Sequence, residues 1–260
     1  MTTETLEQKI KRYWNAQPCN VKHGQSPVGT LDFFKEVSTR RYKVEPHILE
    51  FAGFHLWQGK NVLEIGPGIG SDAAEFARNG ANYYGIDYSD ESVKLARQRF
   101  EVEGLEGAFI NADASNPDAY KDLPKFDLVY SYGVIHHFPA IDQIITNVHN
   151  ALAPGGEFRF MVYAKNSWKQ AMINAGLDQY EAQAGCPFAQ SYSNEDIDRL
   201  LGEQFELLRL RQAHCFMYNV EEYKQGNYVL EPWFEAMPEA VRNAVKEYLG
   251  WHLLVKAKKV

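Results

Sequence analysis

Val62-Leu-Glu64-Ile-Gly66-Pro67-Gly68-Ile-Gly70 is a short apolar run that passes into three alternating glycines, with an acid two positions before the first. A run this short, bounded by glycine, reads as a buried strand over 61–66. Glycines at its end let the backbone turn tightly and approach a ligand closely. The next segment, 71–79, carries an apolar helical stripe of Ala73, Ala74, Phe76 and Ala77. A helix starting there presents unsatisfied N–H groups to whatever lies against the loop.

Reading outward, Tyr83–Asp87 is a second strand. It ends in a carboxylate 21 positions after Gly66, where an acid can accept both hydroxyls of a ribose. Ser89 caps a helix over 90–103 that Gly104 ends. Strands follow at 108–111 and 126–132, then a helix over 141–152 stopped by Pro154-Gly155-Gly156, then a strand over 157–163. Strands alternating with helices predict an α/β fold, a doubly wound and mostly parallel sheet with right-handed crossovers. Upstream, 4–16 and 31–57 read as helical, the latter broken near Pro46, so residues 1–58 form a helical N-terminal lid ahead of a domain over 59–260. Downstream, a helix over 193–202 and strands over 205–215 and 250–257 complete the sheet. The aromatic-rich stretches 164–192 and 216–249, the latter holding Tyr218, Tyr223, Tyr228, Trp233 and Phe234, are long enough to be functional caps.

Composition excludes several classes. Lys plus Arg number 27 against 34 Asp plus Glu, a net charge of −7, and no basic stripe suggests nucleic-acid binding. Cys19, Cys186 and Cys215 are far apart and lack C-x-x-C spacing, so neither a structural zinc site nor a disulfide framework is indicated, and no acid cluster marks a metal. No apolar leader or 18-residue apolar stretch occurs in these 260 residues. The expected setting is cytoplasmic, with no membrane partner. Nothing selects an oligomeric state.

Two nucleoside ligands compete for the loop. A dinucleotide pattern, G-x-G-x-x-G/A, would need a glycine or alanine at position 71, which is Ser71. Glu64 would also repel a pyrophosphate and welcome an ammonium or sulfonium. A nicotinamide-dependent oxidoreductase is therefore the weaker reading, and a cofactor-binding scaffold without turnover is the other alternative.

VLEIGPGIG (62–70), YGIDYS (84–89), NADAS (111–115), FDLVYSYGVIHHF (126–138) and LAPGGEF (152–158), in that order, resemble the class I S-adenosylmethionine-dependent methyltransferases. The resemblance is strong over about 58–163 and weaker over the last two strands. It implies seven strands in the order 3-2-1-4-5-7-6, the seventh antiparallel, and methyl transfer to a small-molecule acceptor. It further implies cofactor contacts from Glu64, Gly66, Pro67, Gly68 and Asp87, from Tyr88 against adenine, from Asp113 and Ala114 at the adenine edge, and from Ser131 at the methionine end. Asp113 as a local helix cap is its bland alternative.

Methyl transfer needs alignment and water exclusion more than a catalytic constellation, and a base chiefly when a hydroxyl is the nucleophile. Catalytic candidates at the C-terminal strand ends are His136, His137 and Tyr163, with Asn166 nearby. Substrate-binding candidates are Tyr13, Trp14, Arg41, whose fork could hold a carboxylate, and His214. Phe33, Phe34 and Tyr42 suit the core better than a pocket. The acceptor atom stays open among oxygen, nitrogen, sulfur and carbon.

Overall fold

The computed structural model describes residues 4–178, 185–225, 227 and 229–260. Positions 1–3 of the lead-in, 179–184 of the first cap, and Gly226 and Tyr228 of the second lie outside the described residues. The chain opens with α1 (Leu6–Ala16), α2 (Leu31–Val44) and α3 (His47–Ala52). Then come β1 (Asn61–Ile65), α4 (Ser71–Arg78), β2 (Asn82–Asp87), α5 (Asp90–Glu103), β3 (Ala108–Asn111), β4 (Phe126–Tyr132), α6 (Ile141–Ala151) and β5 (Leu152–Ala164). The remainder is α7 (Trp168–Asn174), β6 (Ser191–Tyr192), α8 (Asn194–Leu201), β7 (Phe205–Ala213), α9 (Val220–Lys224), α10 (Pro232–Glu235), α11 (Glu239–Leu249) and β8 (His252–Lys259).

The sheet runs β3-β2-β1-β4-β5-β8-β7. With β7 and β8 as the expected sixth and seventh strands, the long strands take the expected order, and β8 is antiparallel to both neighbours. Two details differ from the sequence reading. Ser191–Tyr192 adds a two-residue parallel strand against Tyr163 and Ala164, too short to leave a periodicity. The fifth strand begins at Leu152 rather than 157, because Leu152 pairs with Phe126 and a register shift carries the glycines before Glu157 pairs with Leu128.

Strand alternation sorts β1 between the two faces. Leu63 and Ile65 join the cluster under α6 and α8, with Val129, Ile144 and Phe158. Val62 joins the opposite cluster with Phe76, Leu128 and Tyr130. Each such buried side chain contributes about 1.5–3 kcal/mol. Glu64 shares Val62's face, which commits a carboxyl to the interior, 3% exposed. Strand order reverses between β1 and β4, and doubly wound sheets bind ligands in the crevice at such a point.

The lead-in is anchored to that crevice. A capping box of Thr5 and Gln8 starts α1. Lys11 and Asn15 then bind Asp90 at the start of α5, at 3.1 and 3.0 Å. Phe33, Phe34 and Val37 of α2 pack with Ile69 of the glycine loop and Leu95 of α5.

Candidate active site

A cavity of about 530 Å³ opens at the C-terminal edge of β1, β2, β4 and β5. That is the size of a small-molecule site. One end is the glycine loop. Gly66 has φ +75°, and a Cβ there would sit 2.4 Å from Val134 Cγ2, so only glycine fits. Gly68 has φ +56°, and a Cβ there would meet no atom within 4 Å. It would project into space that a ligand can use.

Asp87 closes this end. Its carboxylate accepts from Gly68 N at 3.0 Å and Ser89 N at 2.8 Å, which ties the glycine loop to the start of α5. Burial raises its pKa to about 6, against those backbone hydrogen bonds. Glu64 also lines the cavity and accepts from Tyr83 Oη at 2.8 Å. Burial first, and the nearby Asp72 charge second, push its pKa up to about 8. Both effects favour the protonated carboxyl in the ligand-free cavity, and a cationic ligand group beside it would draw the proton off. The residues fit an adenosine carrying a positive charge: a backbone cradle, a hydroxyl-accepting carboxylate and a second acid beside the loop.

Pro67, Tyr88 and Ala114 also line this end. Three expectations need correction here. Ser131 is fully buried within β4, and its hydroxyl donates to Ile65 O at 3.0 Å, so Gly133, two residues on, lines the cavity instead. Asp113 is not on the wall. Its Oδ1 accepts from Ser115 N and Oγ at 2.8 and 2.7 Å, closing a local turn, while Asn116 caps the short helix that follows. Tyr13 packs edge-on against Trp14 at 5.0 Å, and only Trp14 reaches the lining.

Trp14 meets His137 edge-on at 5.2 Å. His137 lines the cavity, and its Nδ1 lies 2.8 Å from the Phe188 carbonyl oxygen. A carbonyl accepts, so Nδ1 carries the hydrogen and Nε2 is the basic nitrogen. His136 is different. It is fully buried off the wall, tilted against Tyr163 with ring centroids 3.8 Å apart, and burial holds its pKa well below the usual imidazole range. It cannot reach an acceptor. Tyr163 lines the cavity, stacked on Trp251 at 4.2 Å. Asn166 is exposed, with its carbonyl taken by Gln212.

Arg41 lines the cavity, but its fork is spent. Nε and Nη2 bind Asp72 at 3.0 and 2.8 Å. Tyr42 and Tyr130 donate to the same carboxylate. The reading of Arg41 as a substrate fork gives way to this buried clasp. Its guanidinium also lies over the Tyr132 ring at 5.1 Å.

The far end was not visible in the linear sequence. Tyr132, His252 and Glu45 line it beside His214. His214 has a left-handed φ of +61°, unusual for a side chain with Cβ, and stacks on His252 at 4.5 Å. The available signals were weak: a histidine after the Pro46 break, and another opening the apolar run Leu253–Val255. On the cap side, Lys169 pairs with buried Asp178 at 2.9 Å, and Tyr218 and Tyr223 donate to the same carboxylate.

A family profile described as a methyltransferase domain matches residues 37–226, well over half of the chain. The chain belongs to the class I S-adenosylmethionine-dependent methyltransferase family. It is 33% identical over 137 residues to a fatty-acid O-methyltransferase of Mycolicibacterium smegmatis, covering 49% of this chain and 47% of the relative. It is 29% identical over 119 residues to a ubiquinone biosynthesis O-methyltransferase of Salmonella arizonae, covering 45% and 49%. The chain thus spans about half the length of the curated relatives it matches. Among solved structures, the magnesium protoporphyrin IX methyltransferase of Synechocystis with bound SAM superposes with a TM-score of 0.61 at 16% identity, over 100% of both chains. The N-methyltransferase of Bradyrhizobium japonicum in complex with S-adenosyl-L-homocysteine superposes at 0.56 and 15% identity, over 98% of each. These likenesses establish the fold. Among the described residues, no helix is long and apolar enough to cross a membrane.

Proposed function

We propose that this chain transfers a methyl group from S-adenosylmethionine to a hydroxyl of a small molecule, with the cofactor at the Gly66–Asp87 end and the acceptor among the aromatic and histidine side chains beyond Gly133. The observation that carries this reading is Asp87, a partly buried carboxylate on the same wall as a glycine whose missing Cβ leaves open space. When bound, S-adenosylmethionine supplies an electrophilic methyl carbon: an acceptor lone pair bonds to it as the carbon–sulfur bond breaks, and S-adenosylhomocysteine leaves.

The chain's own residues bind, orient and shield. Gly66 and Gly68 admit the cofactor backbone-close, Asp87 accepts from its ribose, and Tyr88 and Ala114 flank the adenine. Glu64 answers the positive charge. His137 takes the proton that the acceptor hydroxyl loses once cofactor and acceptor binding opens its Nε2, which is enclosed in the ligand-free chain, with Trp14 and Tyr163 excluding water around it. The O-methyltransferase relatives support oxygen as the acceptor atom. Residues 1–58 act as the lid and 164–192 with 216–249 as caps. The acidic balance and absence of a basic stripe support a non-nucleic-acid substrate, in the cytoplasm.

Binding tests the first half: S-adenosylhomocysteine raises the melting temperature and NAD does not. Asp87→Ala weakens S-adenosylhomocysteine on the order of 100-fold or more, about 2.7 kcal/mol, with an unchanged circular dichroism spectrum. Normal affinity in that variant removes Asp87 from the site. Turnover of labelled methyl donor against pooled hydroxylated metabolites tests the second half.

A further inference from the structure

Four polar groups converge at the cavity end away from the glycine loop, brought together from α3, β4, β8 and the α2–α3 junction. His47 Nε2 lies 2.7 Å from Tyr132 Oη and 3.0 Å from His252 Nδ1, and Tyr132 Oη lies 2.9 Å from His252 Nδ1. Glu45 Oε2 is 3.9 Å from His252 Nδ1, and ligand atoms of Glu45, His47 and His252 all lie within 4.8 Å of one another. One tautomer pair satisfies this triangle by hydrogen bonding, with His47 Nε2–H donating to Tyr132 Oη and Tyr132 Oη–H donating to His252 Nδ1. The two histidines, with a Glu45 carboxylate oxygen beside them, also offer a converging set of metal-ligand atoms.

With both ring nitrogens deprotonated, a cation could take the place of the bridging hydrogens, since the ligand atoms of Glu45, His47 and His252 already lie close together. The spacing suits it: bonds of about 2.0–2.1 Å in a tetrahedron place ligand atoms about 3.3 Å apart, between the 3.0 Å of His47 Nε2 to His252 Nδ1 and the 3.9 Å of His252 Nδ1 to Glu45 Oε2. Two imidazoles with a carboxylate favour a first-row divalent ion over calcium or magnesium.

We infer that Glu45, His47 and His252, with Tyr132 beside them, bind a divalent transition-metal ion of the zinc or iron(II) type. Glu45, Tyr132 and His252 line the cavity, so the ion would keep an open face toward the acceptor end, as three-ligand catalytic sites do. The inference does not depend on the methyl-transfer reading and is tested without any methyl donor.

The full chain is stripped with a chelator, then titrated with Zn²⁺ by calorimetry and with Co²⁺ by visible absorption. One equivalent should bind, and Co²⁺ should give the intense d–d bands of a four- or five-coordinate N/O site. His47→Ala and Glu45→Gln should each weaken uptake by on the order of 100-fold, while His55→Ala, at an exposed position, should leave it unchanged. Absence of those bands in the wild-type chain overturns the site whether or not the variants fold, and leaves a hydrogen-bonded cluster only. Equal uptake by His47→Ala and wild type also overturns it, marking the ion as adventitious.

Discussion

Glu64 and Asp87 sit in settings that oppose the charged form their side chains prefer. Both carboxyls are enclosed on the cavity wall, and both have raised pKa values, about 8 and about 6. A carboxyl whose folded-state pKa is raised contributes most stability below its unfolded value and loses it as pH climbs through the folded value. For Glu64 the window runs from about 4.5 to about 8. The ligand-free fold is therefore strained at neutral pH by the group that suits a cationic cofactor. Glu64→Gln, which keeps an acceptor for Tyr83, should stabilise the ligand-free chain by about 1–3 kcal/mol at pH 8.5 and by much less at pH 5. It should also weaken S-adenosylmethionine binding. Thermal melts at the two pH values check this; an equal shift at both would mean that ionisation of Glu64 is not what costs stability.

At the scale of elements, α1 depends on its neighbours. Ile10 is its buried residue, and polar contacts to Asp90 with Trp14 against His137 hold it over the nucleoside end. A helix of 11 residues is marginal alone, so ligand-linked ordering is expected of it. Removing residues 1–16 should weaken S-adenosylhomocysteine by roughly tenfold, ~1.4 kcal/mol, mainly through faster release, with little change in the ligand-free melting temperature. Stopped-flow release rates measure this. Unchanged release would leave α1 a packing element and not a lid. The same element view separates the two glycine features. The 66–70 loop turns the chain at a ligand, whereas Pro154-Gly155-Gly156 only carries the bulge that brings β5 into register with β4.

Across the whole molecule, the lead-in and the sheet are joined through one buried carboxylate. Asp72 of α4 receives Arg41 and Tyr42 of α2 and Tyr130 of β4. Arg41→Ala should cost about 3–5 kcal/mol because it leaves that charge buried and unpaired. Arg41→Met combined with Asp72→Asn should cost clearly less than the single change. Denaturant melts of the two variants decide, and equal losses would show that the charge is not the source. Arg41 also shows where sequence reading stops. Its residue type suggested a ligand fork, and nothing local reveals that Asp72, 31 positions on, takes both its arms. Ser131 and Asp113 misled in the same way: the motif located them near the ligand, while their own hydrogen bonds turned them to Ile65 and Ser115.

What the sequence determined by itself was local in origin: apolar runs of strand length, helix caps, the glycine turn after β1, and the acid ending β2. Periodicity and backbone freedom act over a few residues, so the strand–helix alternation and the nucleoside end were legible from them, while the strand order came only from the family resemblance. The tertiary structure alone decided which side chains face the cavity, that His136 stays behind Tyr163, and that Glu45, His47, Tyr132 and His252 meet. Those contacts join residues up to 205 positions apart. Their partners are set by how helices and strands pack, a long-range outcome that no short stretch of chain encodes.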